Sequence, residues 1–327
     1  MAQLTTAYPA TGLRARPGLI ERIDLPQRVV FAAAASMIFI VALLLVFIAW
    51  QGIQLFVKDG VPVTQILSPT WQPDSTSEGL NFGLLPFIAG TVCVTAVALL
   101  ISTPVSVGLA LFLSEVAPNW ARAIVQPALE FFVGIPSVVW GWLGITILVP
   151  FLSDTFHGDI ALGLPVVGTL FTIPGFLTGF SWLAGSLVLS IMIVPTITSV
   201  SYDAFRAVPQ ELRTGSLALG TTRWQTIRHV LIPSALTGVL TAVVLGMTRA
   251  AGEALAVQMD IGNSPSMPAA ITQPVTTLTS QITLDMGNTV FGEPWQDALW
   301  TMSLVLLIIS IGSVVLVRLI NSRRMGA

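Results

Sequence analysis

The sequence predicts an all-α membrane protein with six transmembrane helices, on three observations. Hydrophobic residues make up 54% of the 327 residues and charged residues only 9%, where a soluble domain carries roughly 25% charged residues. The mean hydropathy is +0.85. Apolar stretches of spanning length recur along the chain, and an even number of them puts almost every basic residue on one face.

Residues 1–30, with scattered Pro, Gly, Thr and Arg, read as a flexible tail. FAAAASMIFIVALLLVFIAW (31–50) is free of charge, and about 20 such residues cross a hydrocarbon core as a helix. Extended to residue 57, it is the first span. It is too long for a signal-peptide apolar region and no small-residue cleavage site follows, so it is expected to be retained. Residues 58–82 form a loop, 83–320 hold the main transmembrane domain, and 321–327 are a short tail. Within that domain the further spans are expected at about 83–113, 125–152, 182–204, 233–258 and 297–319. The second contains Pro104, which predicts a kink or a preceding interfacial turn. IALGLPVVGTLFTIPGFLTG (160–179) is apolar but broken by prolines and glycines, and reads as an ordered loop or partial re-entry.

Six spans bring both termini to one side. Arg14, Arg16, Arg22, Arg28, Arg122, Arg206, Arg213, Arg223, Arg228, Arg318, Arg323 and Arg324 then share a face, with Lys58 opposite. That asymmetry makes the arginine face cytoplasmic and both termini with it. The opposite loops are acidic, with Asp59, Asp260, Asp285, Glu293 and Asp297 among them.

Composition removes whole classes of chemistry. Cys93 is the single cysteine, so neither an intramolecular disulfide nor a cysteine-based metal cluster can form within the chain. His157 and His229 fall on opposite faces, which argues against a histidine metal site. No phosphate-gripping G-x-x-x-x-G-K-[ST] loop occurs. If ATP drives this protein, another subunit must bind it.

The longest arginine-face loop, about 205–232, has its own punctuation. Pro209 suits the first turn of a helix running to about Leu219, and Gly220 suits its left-handed stop. Thr222 with Gln225 three residues later is a capping-box pattern for a second helix. Trp224, Ile227 and Leu231 are expected to share one face of it. Such a surface either rests on the membrane or enters a partner.

Gly220, Ile227 and Pro233 stand in the spacing of the cytoplasmic loop of ABC importer permeases, and the chain resembles that family. ALGTTRWQTIRHVLIP, LEFFVGIPSVVWG (129–141) and TRAAGEALAVQMDIGN (248–263) are similar to the permeases of phosphate importers, of the PstC type. The similar stretches cover most of 85–263. The resemblance implies a type I ABC importer permease (MetI-like) fold and a transporter subunit without enzymatic activity of its own. It implies a heterodimer with a PstA-like permease, two copies of a PstB-like ATPase that bind ATP and Mg, and a PstS-like phosphate-binding protein. No cofactor is implied for this chain, and membrane lipid but no nucleic acid as a further partner. Pro209, Gly215, Ser216, Gly220, Trp224, Ile227 and Pro233 would form the ATPase coupling loop. Where the family has a Glu-Ala-Ala triplet, this chain has Thr214, Gly215 and Ser216. The docking role therefore carries over to the loop and not to Thr214.

Arg249 and Glu253 pose the sharpest chemical question. On a continuous helix through the fifth span, Ala235, Gly238, Ala242, Gly246, Arg249, Gly252, Glu253 and Ala256 share a sector of about 120°. Small residues at four-residue intervals permit close helix contact or leave open volume. Arg249 would lie about 24 Å from the Pro233 end of that helix and about 16 Å from the Asp260 end. An unpaired arginine there costs at least about 2.5 kcal/mol. Either the pair satisfies itself and fixes the helix, or the guanidinium lowers the barrier to an oxyanion in a passage while Glu253 holds it between turnovers. Glu130 is expected to be a second buried acid. With Pro136 and Ser137 beside the break at Gly134, it is a candidate gate or inter-subunit contact, or simply an interfacial carboxylate.

The resemblance and the arginine together predict a permease for inorganic phosphate. The alternative is an ion-coupled secondary anion transporter, against which no paired inverted repeat with broken helices is evident. A membrane enzyme acting on phosphorylated lipids would want clustered acids at one interface, and the acids here are dispersed. The long loop after Asp260 and residues 58–82 are the expected docking surface for a substrate receptor.

Overall fold

An apolar helix with no polar stripe has to be surrounded by lipid or core, and α1 (Leu25–Val57) is one. The computed structural model describes residues 25–73, 80–156 and 178–325. Two units divide between Ala49 and Trp50. The first holds the helix from Leu25, with Phe31, Ile38 and Phe39 among its exposed apolar side chains; every helix from α2 onward belongs to the second.

Among the described residues, six helical segments are long and apolar enough to cross a membrane: Gln27–Val57, Leu85–Val116, Ser137–Thr155, Trp182–Arg206, Arg223–Ala251 and Pro294–Val315. They fall on the six expected spans. The 160–179 stretch lies outside the described residues except for Thr178 and Gly179. α2 (Leu85–Leu111) carries Pro104 inside and ends in a π-turn, Phe112–Val116. α3 (Asn119–Gly134) stops at Pro136, whose missing N–H and fixed φ start α4 (Ser137–Leu143) afresh. A second π-turn (Gly144–Leu148) leads into α5 (Val149–Phe156).

α6 (Trp182–Arg206) is the central helix, packed on α2 and on α9 (Ile232–Ala251), and it is the most buried of the spans. Its contact with α2 is built on small polar residues: Ser102, Ser106, Thr198 and Ser201 are all fully buried. Ser106 Oγ donates to the Val194 carbonyl at 3.2 Å, next to Pro195. Small side chains let two backbones approach where lipid supplies no hydrophobic drive between helices. The same logic settles the glycine stripe of α9. A Cβ added at Gly238 would collide with the Ala204 methyl, and one at Gly246 would lie 2.6 Å from Ile197 Cδ1. The stripe is a close helix contact with α6, not an opening.

The fifth span is not one helix to residue 258. α9 ends at Ala251, and Gly252 to Ala254 are a break before α10 (Leu255–Asp260). Thr279 Oγ1 donates at 2.7 Å to the Glu253 carbonyl, a side-chain partner at the interruption. Thr279 belongs to α11 (Leu278–Asp285), and the last span is α12 (Pro294–Met325).

Part of the long loop between α10 and α11 packs inside the fold, while Gly262, Pro265, Met267 and Ala269 stay exposed. Ala270, Val275, Thr276 and Thr277 are buried. Helix starts leave four N–H groups without intrahelical partners, and at α6 the end of α10, this loop and the Ser181 side chain supply them. Ser181 N–H reaches the Asp260 carbonyl (3.1 Å), Trp182 N–H that of Gln273 (3.2 Å) and Leu183 N–H that of Ile271 (3.2 Å), while Ser181 Oγ accepts from Ala184 N–H (3.2 Å). The indole N–H of Trp182 donates to the Ala270 carbonyl at 2.6 Å. At the same end Lys58 donates to Asp297 (2.8 Å) and to the Gly292 carbonyl (2.6 Å), joining the end of α1 to the start of α12.

Asp260 lies beyond the fifth span with no solvent exposure. Among the described residues neither carboxyl oxygen has a hydrogen-bond partner, and a Cβ at Gly144 would strike this carboxyl. Desolvation pushes it up from 3.8 to about 7. The unfolded chain releases this proton near pH 4, whereas the folded chain holds it to about pH 7, so stability falls as pH rises through that window. Asp260→Asn removes the dependence. Its thermal unfolding in detergent is expected to exceed wild type at pH ~8 and to converge with it toward pH ~4; a gap that does not change with pH would refute the assignment.

Candidate functional site

The site is assembled where α9 ends against α6. Arg249, in the last turn of α9, is half-buried, and its Nη1 donates to Thr196 Oγ1 at 3.0 Å. Thr196 follows Pro195 on α6, 53 residues away in the chain. No carboxylate among the described residues is within ion-pair distance of Arg249. A guanidinium has five N–H donors in a planar fork, and one neutral hydroxyl leaves most of them without a partner among the described residues.

Glu253 does not complete the expected pair. The helix ends two residues before it, so the one-turn spacing that would align the two side chains is lost. Its carboxylate instead faces the start of α10, where Oε1 accepts from Ala256 N–H at 3.5 Å. Arg249 and Glu253 thus flank the break at Gly252, and both are half-buried.

Glu130 is exposed rather than buried, because α3 rests on α6 by one face only. It lines a cavity of about 220 Å³ with Gln126, Tyr202 and Asp203. Pro136 is exposed at the α3–α4 break and Ser137 begins α4, half-buried.

The two-helix loop follows its sequence signals closely. α7 (Gln210–Ala218) starts after Pro209 and stops before Gly220, whose φ of +83° is the left-handed conformation glycine tolerates. α8 (Arg223–Thr226) carries both arms of the capping box: Gln225 N–H to Thr222 Oγ1 at 3.3 Å and Thr222 N–H to Gln225 Oε1 at 2.8 Å. The common face of Trp224, Ile227 and Leu231 is not kept. Residues Ile227–Leu231 form a π-turn, whose extra residue rotates the register. Leu231 is buried and Ile227 packs beside it, while Trp224 is 63% exposed. Gly215 has open space around it and Pro233 opens α9. Ser216, Thr221 and Thr226 form a triangle of hydroxyls 2.8–3.0 Å apart that joins α7 to α8. Thr214 turns back on its own helix, donating to Gln210 and Glu211 carbonyls.

Two contacts escaped sequence reasoning. Thr196 had a signal, a hydroxyl beside a proline within an apolar span. The ion pair of Arg213 with Glu115 at 3.3 Å had none, since each residue is an ordinary charge on the arginine-rich end.

Residues 102–326 match the family model described as "Binding-protein-dependent transport system inner membrane component". The chain is 46% identical over 299 residues to the probable ABC transporter permease protein YqgH of Bacillus subtilis, covering 91% of this chain and 90% of that one. It is 36% identical over 277 residues to the phosphate transport system permease protein PstC of Xylella fastidiosa, covering 84% and 82%. To PstC 1 of Mycobacterium tuberculosis it is 38% identical over 239 residues, covering 71% and 70%. Among solved structures it is similar in fold to a bacterial alginate ABC transporter in complex with its alginate-bound periplasmic protein, with a TM-score of 0.59, 17% identity and coverage of 91% and 95%. The MetNI methionine ABC transporter gives a TM-score of 0.51 at 19% identity, covering 73% and 93%.

Proposed function

Because this chain belongs to the family of binding-protein-dependent transport system inner membrane components, we propose that it is the permease subunit of an ATP-driven importer of inorganic phosphate. Relatives that cover most of the chain are named phosphate transport permeases. The observation that carries the reading is Arg249, a half-buried guanidinium with one neutral partner at a helix break. A fixed fork of unused donors suits an oxyanion at any physiological pH.

In this reading Arg249 lowers the barrier to phosphate, and Glu253 across the break belongs to the same passage. A second, PstA-like permease completes that passage. Two PstB-like ATPase subunits bind ATP and Mg, and a PstS-like receptor delivers phosphate. Both termini are cytoplasmic, in keeping with the arginine-rich ends of the spans. The loop at 205–232 docks on the ATPase, with Trp224 exposed for that contact and Gly215 leaving room for close approach. Pro209, Ser216, Gly220, Ile227 and Pro233 shape the loop, and Glu130, Pro136 and Ser137 are assigned to a gate or subunit contact. ATP-driven closure of the motor pair would move α7 and tilt the attached spans.

The test is phosphate uptake into proteoliposomes holding the two permeases, with and without the ATPase subunit. Uptake is expected only with the ATPase and ATP. Uptake that persists without the ATPase under a proton gradient would favour ion-coupled transport instead.

A further inference from the structure

Something must carry a displacement of the two-helix loop into the spans, and the structure offers a specific contact for it. Arg213 on α7 donates through Nη2 to the Phe205 carbonyl at 2.6 Å, in the last turn of α6. The same guanidinium stands 3.3 Å from Glu115 Oε1 in the π-turn that ends α2, and the two side chains are only 18% and 19% exposed. Shielded from solvent to that extent, the pair is screened less by salt than a surface bridge. Arg122, in the first turns of α3, holds the same π-turn through its carbonyls. Its Nε donates to the Leu113 carbonyl at 2.8 Å and its Nη2 to that of Ser114 at 3.2 Å. A π-turn interrupts the regular ladder of hydrogen bonds, and here arginine takes two of its carbonyls. The ends of α2 and α6 therefore meet at one guanidinium carried by α7, and α3 is tied to the same π-turn by a second, that of Arg122.

We propose that Arg213 is a positioning residue that locks α7 to the π-turn of α2, so that movement of the loop is transmitted to α2 and α3 as well as along the backbone into α6. This rests on the reading of 205–232 as the coupling loop. Arg213 meets neither ATP nor cargo. Without the lock, α7 yields to the motor while α2 and α3 lag, and hydrolysis runs without transport.

The experiment measures phosphate moved per ATP hydrolysed by the complete reconstituted complex. Arg213→Gln and Glu115→Gln are each expected to lower that ratio at least about fivefold, the lower end of typical site-to-site couplings, with hydrolysis continuing. The exchange Arg213→Glu with Glu115→Arg is expected to restore much of it. Glu115→Gln leaves α7 untouched, so it decides the matter if the Arg213 variants fail to assemble. Single variants at the wild-type ratio, hydrolysis and uptake falling in proportion, or an exchange no better than the single changes would each overturn the proposal.

A second measurement needs no cargo. Val116 and Leu217 are exposed and line the same cavity beside the ion pair. In a Cys93→Ala background, Val116→Cys with Leu217→Cys is expected to cross-link more slowly once Arg213→Gln is added; an unchanged rate would overturn the lock. Wild type that hydrolyses ATP but moves no phosphate would overturn the cargo assignment instead and leave this second result standing.

Discussion

Arg249→Gln is expected to abolish ATP-driven phosphate uptake while the protein still assembles. A hydrogen bond to a charged group contributes about 1.5–3 kcal/mol. If the guanidinium engages phosphate through two arms of its fork, removing it costs about 3–6 kcal/mol at the barrier, or about 10²- to 10⁴-fold in rate. Glutamine removes the charge and the fork while keeping a polar head. Arg249→Lys keeps the charge but replaces the fork by a point donor, and should retain a fraction of the activity. The readout is initial uptake into proteoliposomes at matched protein, with folding checked by size-exclusion chromatography. A purified Arg249→Gln complex transporting at the wild-type rate would remove the residue from the mechanism.

Gly238→Leu is expected to give the largest loss of stability. Its helix lies so close to α6 that a bare Cβ already meets the Ala204 methyl, with the Ala204 Cα 3.4 Å away. Alanine has no rotamer into which it can retreat, so the helices themselves must part. Overpacking a tight core costs about 1–3 kcal/mol and occasionally more, and a rigid neighbour places Gly238 at the upper end. Gly246 supplies the internal comparison. The atoms a Cβ would meet there are Cγ1 and Cδ1 of Ile197, which is fully buried but has χ angles through which to yield, as the Ala204 methyl has not. Gly238→Ala should therefore lower the unfolding temperature in detergent more than Gly246→Ala, and Gly238→Leu should leave little assembled protein. Equal and negligible effects at both positions would mean that the stripe faces open volume.

Legibility in the sequence varied with the range of the signal. The left-handed stop at Gly220 and the capping box at Thr222 and Gln225 were read correctly because each involves only a few consecutive residues. The shared face of Trp224 and Leu231 was misread because a π-turn inserts one residue into the helical period, and no composition signals it. The fifth span was drawn too long for a related reason. Gly252 alone does not end a helix, but here the Glu253 carbonyl just beyond it accepts from Thr279, a residue of another helix. Glu130 looked buried because its stretch is apolar, yet amphipathic α3 turns it toward a cavity.

By itself, the sequence determined six crossings, a charge imbalance between the two faces and a punctuated loop on the arginine-rich one. Hydropathy over about 20 residues, and capping within one turn, are properties of contiguous chain. Only the tertiary structure decided that Arg249 meets Thr196 and not Glu253, that the glycine stripe is filled by α6, and that Arg213 clasps Glu115. Those outcomes depend on how far apart two helix axes sit and how each is rotated. Such variables are set by every side chain packed between the helices, and no local stretch of sequence encodes them.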